Sequence, residues 1–252
     1  RRRAHDGLLA RLAEGEPGMA AARRAYLHSS SYPQPARIPE QVRYRLVDDA
    51  LARNDLDLAT RLLADLADAP PGVDAFAWRL LRARVLVLGG RAADGVAALE
   101  ALLGDFPELG GERLDRFLQV VFDLQGASEH EAALRVLQRL SLRELPGQRH
   151  RELLYWRAES HESLENYRRA AALYMRSATL LDGKGGDEWG QTARYQAARM
   201  LAEAGLVSDA RRIYQVLLRV TEEDNRRATL RHRLQQLGLQ DAAPANLPVP
   251  EE

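Results

Sequence analysis

Five small residues recur along this chain at a nearly constant interval, and that recurrence constrains the fold more than any other feature. Ala59, Gly95, Ala133, Ala170 and Ala210 are separated by 36, 38, 37 and 40 residues. Four residues after each stands a large side chain: Leu63, Leu99, Leu137, Tyr174 and Tyr214. Three further on come Leu66, Leu102, Leu140, Ser177 and Leu217. Twelve before each small residue stands another that is small or β-branched: Val47, Ala83, Val121, Ala158 and Ala198. Offsets of four and seven put side chains on one helical face. The twelve-residue step crosses a turn into a preceding helix. The unit is therefore a pair of short helices, with small residues where the axes approach and large ones filling the gap beside them.

Helices of about 14 residues are marginal alone, and one pair still leaves an apolar face open. A following pair covers it, so the pairs are expected to stack in series. Segment 154–180 shows the unit most clearly, with a helical run to Glu165-Asn166, then Tyr167, then a second run beginning near Ala170.

This layout resembles the tetratricopeptide repeat family, whose unit is about 34 residues of paired antiparallel helices. The family's turn resembles Gly90-Arg91, Glu165-Asn166-Tyr167 and Gly205-Leu206-Val207, and its closing proline resembles Pro71 and Pro107. The likeness covers five repeats from Pro39 to Leu237, with a weaker sixth at Leu8 to Leu27 around Gly15-Glu16-Pro17. It implies an all-α, right-handed solenoid of stacked antiparallel helix pairs, five to six repeats long. The chain departs from the family at Arg82 and Arg157, where a leucine usually precedes the small residue of the first helix. The family's first-helix tryptophan gives way to Trp78, Phe117, Trp156 and Tyr195. The third repeat's proline is displaced to Pro146 and the last two repeats lack one. Three segments are expected: 1–35, an N-terminal pair ending in the loop SSSYPQP; 36–239, the repeat array; and 240–252, a Pro-rich disordered tail.

Composition narrows the function. Thirty-six basic and 36 acidic residues cancel, so no net field favours nucleic acid or an anionic membrane. There is no cysteine, which excludes disulfides, thiolate metal sites and cysteine nucleophiles. Lys184 is the only lysine, and this use of arginine reads as a GC-rich, bacterial coding bias. No apolar run approaches a membrane span. The chain opens on Arg1 without Met, so a fragment or processed chain is expected, one from which a signal peptide or anchor could have been removed without trace. A periplasmic location is slightly favoured over a cytoplasmic one.

Chemistry-bearing motifs are absent. The histidines, His5, His28, His130, His150, His161 and His232, offer no metalloprotease spacing, and His161 and His130 read as packing residues. Asp182 to Asp187 holds glycines and Lys184 but lacks the phosphate-loop spacing, and reads as an extended connection. The expectation is a non-enzyme with no cofactor and no metal.

The resemblance implies that first helices line a concave groove. Residues one after and three before the small packing residue point there: Asp48, Arg84, Phe122, Glu159 and Arg199, beside Tyr44, Leu80, Leu118, Tyr155 and Tyr195. Tyr44, Asp48, Arg84, Phe122, Tyr155, Glu159, Tyr195 and Arg199 are the candidate partner-binding residues. Tyr and Arg suit interface anchors because they bury area while keeping a polar end satisfied. The bland alternative is internal pairing, Asp48 with Arg84 or Glu159 with Arg199. The row does not resemble the basic face by which some family members clamp a carboxylate. A protein or peptide partner follows, with no nucleic acid and no membrane insertion by this segment. A homo-oligomer is compatible with it. The alternative function is a structural spacer or assembly module in a bacterial envelope or polysaccharide-export system.

Overall fold

A computed structural model describes residues 16–28, 32, 34–106, 108–140, 145–183 and 186–242. The regular elements among them are helices. They are α1 (Glu16–Ala22), α2 (Glu40–Ala52), α3 (Leu56–Leu63), α4 (Ala75–Leu88), α5 (Ala92–Asp105) and α6 (Gly111–Gly126), followed by α7 (His130–Leu140), α8 (Gly147–Ser163), α9 (Tyr167–Thr179), α10 (Glu188–Glu203), α11 (Val207–Val220) and α12 (Asp224–Ala242). A π-helical turn, Arg23–Leu27, and a 3₁₀ turn, Pro35–Arg37, lie between α1 and α2. The chain divides into two compact units, 1–136 and 137–252. In the first, α2 pairs with α3, α3 meets α4, and α4 pairs with α5. In the second, α8 pairs with α9, α9 packs on α10, α10 on α11 and α11 on α12. Helix pairs in series are what the resemblance implies.

The repeat register is borne out position by position. Each recurring small residue is the fourth residue of its second helix: Ala59 in α3, Gly95 in α5, Ala133 in α7, Ala170 in α9 and Ala210 in α11. The four alanines are fully buried. Leu63, Leu99, Leu137, Tyr174 and Tyr214 behind them are at most 1% exposed, and Val47, Ala83, Val121, Ala158 and Ala198 on the first helices are 0% exposed. Gly95 marks a close approach of the two helices. A Cβ there would lie 2.6 Å from Val87 Cγ2 and 3.1 Å from the Ala83 carbonyl.

Five turns reverse the chain in one way. Asn54, Gly90, Ser128, Glu165 and Gly205 have φ of 56°, 76°, 63°, 58° and 76°, each five residues before its small residue. The next amide then donates back into the helix: Asp55 to the Ala50 carbonyl, Arg91 to Leu86, Glu129 to Leu124, Asn166 to His161 and Leu206 to Leu201, at 2.8–2.9 Å. One left-handed residue followed by this long-range bond satisfies carbonyls that the helix end leaves open. Aspartates cap the opposite ends, with Asp55, Asp74 and Asp187 accepting from Leu58, Ala77 and Gly190.

Buried and half-buried arginines close other helix ends. Arg43, 3% exposed, donates to the Leu62 carbonyl and pairs with Asp65 at 2.7 Å. Arg82 donates Nε and Nη2 to the Leu63 and Ala64 carbonyls at 2.9 and 2.6 Å. Arg151, 2% exposed, donates to the Ser177 carbonyl at 3.0 Å and forks onto both Asp187 oxygens at 2.5 Å. A guanidinium suits such places because its donors diverge toward carbonyls near the negative end of a helix dipole.

Of the sequence expectations, the first helix of the weak N-terminal repeat, Pro107, Lys184 and residues 243–252 of the tail lie outside the described residues, while residues 240–242, expected to begin the disordered tail, continue α12.

Candidate functional site

The second unit brings four of the candidate residues onto two neighbouring first helices. Tyr155 and Glu159 are one turn apart on α8, and Tyr195 and Arg199 one turn apart on α10. The helices are joined by side chains. Arg199 Nη2 lies 2.5 Å from Glu162 Oε1 of α8, and its Nε donates to Gln196 Oε1 at 2.9 Å. The Tyr174 hydroxyl of α9 donates to the other Glu162 oxygen at 2.9 Å. Tyr155 sits edge-on to Tyr174 and Trp189, with ring centroids 5.0 and 5.3 Å apart. Such contacts fix the ring and leave part of it exposed. Burial raises the Tyr155 phenol above its ordinary value, and burial together with Glu162 raises that of Tyr174.

Glu159 differs from its neighbours. It is half-buried, and among the described residues it makes no hydrogen bond or ion pair. Burial first, and then the charge of Glu162, raises its carboxyl, while Arg199 opposes the rise. The internal pairing expected of Glu159 with Arg199 is replaced by Arg199 with Glu162, one helical turn along. Glu159 keeps a carboxylate without an ion pair among the described residues, beside an aromatic cluster.

Tyr195 borders a pocket of about 380 Å³ between α10, α11 and α12. Leu217 and Leu230, 2% and 3% exposed, form its apolar part. Gln191, Thr192, Asn225 and Thr229 surround it. Arg233 Nε donates to the Tyr195 hydroxyl at 3.3 Å, which holds the ring as one wall. Pockets of this volume accept a small ligand or one large side chain of a partner. Its location depends on how α12 closes against α10, which no local sequence pattern reveals.

The first unit treats its candidates differently. Tyr44 is 9% exposed, donates its hydroxyl to the Asp68 carbonyl at 3.0 Å and meets Trp78 edge-on at 5.2 Å. Its neighbours in the row, Leu80 and Leu118, are 4% exposed and belong to the core. Arg84 pairs with Asp123 of α6 at 2.8 Å, so the expected Asp48–Arg84 pair does not form. Asp48 is exposed and has no ion pair among the described residues, and Phe122 is half-buried on α6.

Among the described residues no three His, Cys, Asp or Glu converge as a metal site would require. None of their helices is long and apolar enough to cross a membrane. His161 is 8% exposed, as expected of a packing histidine, and His130 opens α7 with its Nδ1 buried.

No family model and no curated protein matches this chain. Among solved structures it is similar to the MamA protein, with 14% identity, 84% of this chain and 98% of that chain covered, and a TM-score of 0.43. It is also similar to a putative kinesin light chain with nearly identical TPR-like repeats from Podosopora anserina, with 12% identity, 84% and 100% covered, and a TM-score of 0.44. The helix pairs and their register carry the fold assignment by themselves.

Proposed function

We propose that this chain, a helical repeat protein built of paired helices in series, is a non-catalytic scaffold that binds a protein or peptide partner along its first helices. The observation that carries the reading is the Tyr195 pocket. It is an apolar depression of side-chain size with a tyrosine wall and a hydrogen-bonding rim, and the preceding first helix carries the half-buried Tyr155 and Glu159, the latter without an ion pair among the described residues. Rigid aromatic anchors beside a pocket are what hot spots of protein interfaces consist of. Tyr155, Glu159, Tyr195 and Arg199 are the proposed contacts of the second unit, and Tyr44, Asp48, Arg84 and Phe122 those of the first.

The test is capture of a partner from extracts of the source organism on the immobilised full chain. The captured protein is then titrated against the wild type, Tyr155→Ala and Tyr195→Ala. Binding is expected to weaken more than about tenfold at Tyr195→Ala, as hot-spot truncations do, with helicity by circular dichroism unchanged. Equal affinity for all three folded proteins rejects the reading.

A second reading is favoured by one observation. Val216 and Val220 of α11 are 39% and 50% exposed one turn apart, and Leu239 of α12 is 66% exposed. An assembly module would cover these with a second copy of the chain, whether in an envelope or export machine or elsewhere. Light scattering across a concentration series separates the readings, since a concentration-independent monomer removes this one.

A further inference from the structure

The α8–α9 hairpin carries four basic groups that make no ion pair among the described residues. Arg157 and His161 lie one turn apart on α8, and Arg169 and Arg176 two turns apart on α9. The turn at Glu165 folds the helices together, and the bonds from the Asn166 amide to the His161 carbonyl and from the Ala170 amide to the Asn166 carbonyl fix their register. His161, four residues before Glu165, therefore comes level with Arg169, four residues after it. His161 is 8% exposed and its buried Nδ1 has no hydrogen-bond partner. The Arg157 Nε is likewise buried without a partner. Arg169 and Arg176 are exposed and make no ion pair among the described residues.

These are not ordinary places for basic residues in this fold. Counted from the small residue of the first helix, the position of Arg157 holds Leu46, Val120 and Ala197 in other repeats, all buried, and Arg82 in one. The position of His161 holds Ala50, Leu86, Leu124 and Leu201. One repeat thus replaces two core positions by basic side chains and adds two more opposite them. Burial, and then the charges of Arg169 and Arg176, lower the pKa of the Arg157 guanidinium. Burial, and then Arg169 and Arg157, hold His161 below its usual value. No carboxylate contributes at either group. A cluster of this kind is incomplete without an anion, because buried donors lacking acceptors and like charges lacking a counter-charge both oppose folding.

We propose that Arg157, Arg169 and Arg176, with His161 behind them, form a binding site for a phosphate-class oxyanion. Guanidinium forks match the acceptors of a tetrahedral dianion, and several around one anion replace mutual repulsion with charge-assisted hydrogen bonds. Arg157 and His161 lie two residues from Tyr155 and Glu159, about 200° around the helix. The site is thus separate from the proposed partner-binding face and does not rest on it. The same chemistry is presented by inorganic phosphate and by the phosphate of a nucleotide.

The experiment is calorimetric titration of the full chain at low ionic strength with inorganic phosphate and, separately, with adenosine monophosphate. Thermal melting is followed in parallel. Saturable one-to-one binding of at least one ligand is expected, with a rise in Tm. Arg169→Gln and Arg176→Gln, both at exposed positions, should each weaken it more than about tenfold, the scale of a lost charge-assisted bond. Arg219→Gln, at an exposed arginine on α11, should leave it unchanged. Arg157→Leu should abolish the ligand-induced rise and melt higher than wild type when no anion is present. Binding of phosphate alone identifies the free ion as the ligand, and tighter binding of the nucleotide identifies the carried phosphate. Absence of saturable binding by both ligands, equal affinity in the Arg169 and Arg176 variants, or a lower anion-free Tm for Arg157→Leu overturns the proposal.

Discussion

Arg82 and Arg157 occupy the same place in their repeats, one residue before the small residue of the first helix, and their surroundings could hardly differ more. Arg82, in the first unit, donates to two carbonyls at the end of α3 and completes that helix. Arg157, in the second, has a buried Nε with no acceptor and faces Arg169 and Arg176. The second unit closes its own helix end with Arg151, which reaches Ser177, Ala178 and Asp187. The comparison teaches that a charged residue at a core position is structural only where the neighbouring helix end offers it carbonyls or a carboxylate. Where it offers neither, the residue is free for a ligand.

Substitutions turn that contrast into numbers. Arg151→Leu should have the largest effect. It removes the donor from two buried carbonyls and leaves Asp187 unpaired, at a cost of about 3 kcal/mol, measurable by urea denaturation. Its pH dependence is a second check. The Arg151 fork first, against some burial, lowers the Asp187 carboxyl to about 2 from its ordinary 3.8. The stability from that shift is present in full above the ordinary value and is lost as pH falls toward 2. Arg151→Leu should show less of this acid-side loss, keeping only the part owed to the Gly190 amide. Arg82→Leu should cost about 2 kcal/mol by orphaning the Leu63 and Ala64 carbonyls. Arg157→Leu should instead gain about 1 kcal/mol, since it removes a buried unpartnered donor. Equal signs for Arg82→Leu and Arg157→Leu would break the comparison. The smallest effects belong to the turns. Glu165→Gly should stabilise, and Gly205→Ala destabilise, each by about 1 kcal/mol, because both sites hold a left-handed φ.

Much of this was legible in the sequence, because it depends on spacing. The small residues and their partners at offsets of four, seven and minus twelve report helix phase, and phase decides burial. Ala170 with Tyr174, and Gly95 with Leu99, could be placed without coordinates. The turn residue was half legible. Gly90 and Gly205 announce a left-handed φ, whereas Asn54 and Ser128 adopt it because the helix pair requires it. Side-chain pairing was not legible. Arg84 reaches Asp123 and Arg199 reaches Glu162 because long side chains span more than one turn, so register leaves several partners open. The Tyr195 pocket and the unpartnered nitrogens of Arg157 and His161 depend on how neighbouring helices pack, which a linear pattern does not encode.

The measurement that bears most directly on partner binding at the second unit is site-specific photocrosslinking from Thr229, on the rim of the Tyr195 pocket. A photoreactive residue at that position, in the otherwise native chain, is irradiated in cells of the source organism. The account predicts one dominant adduct with a partner protein, strongly reduced when Tyr195→Ala is added. An adduct pattern that Tyr195→Ala leaves unchanged, or the absence of any protein adduct from the folded chain, would contradict it.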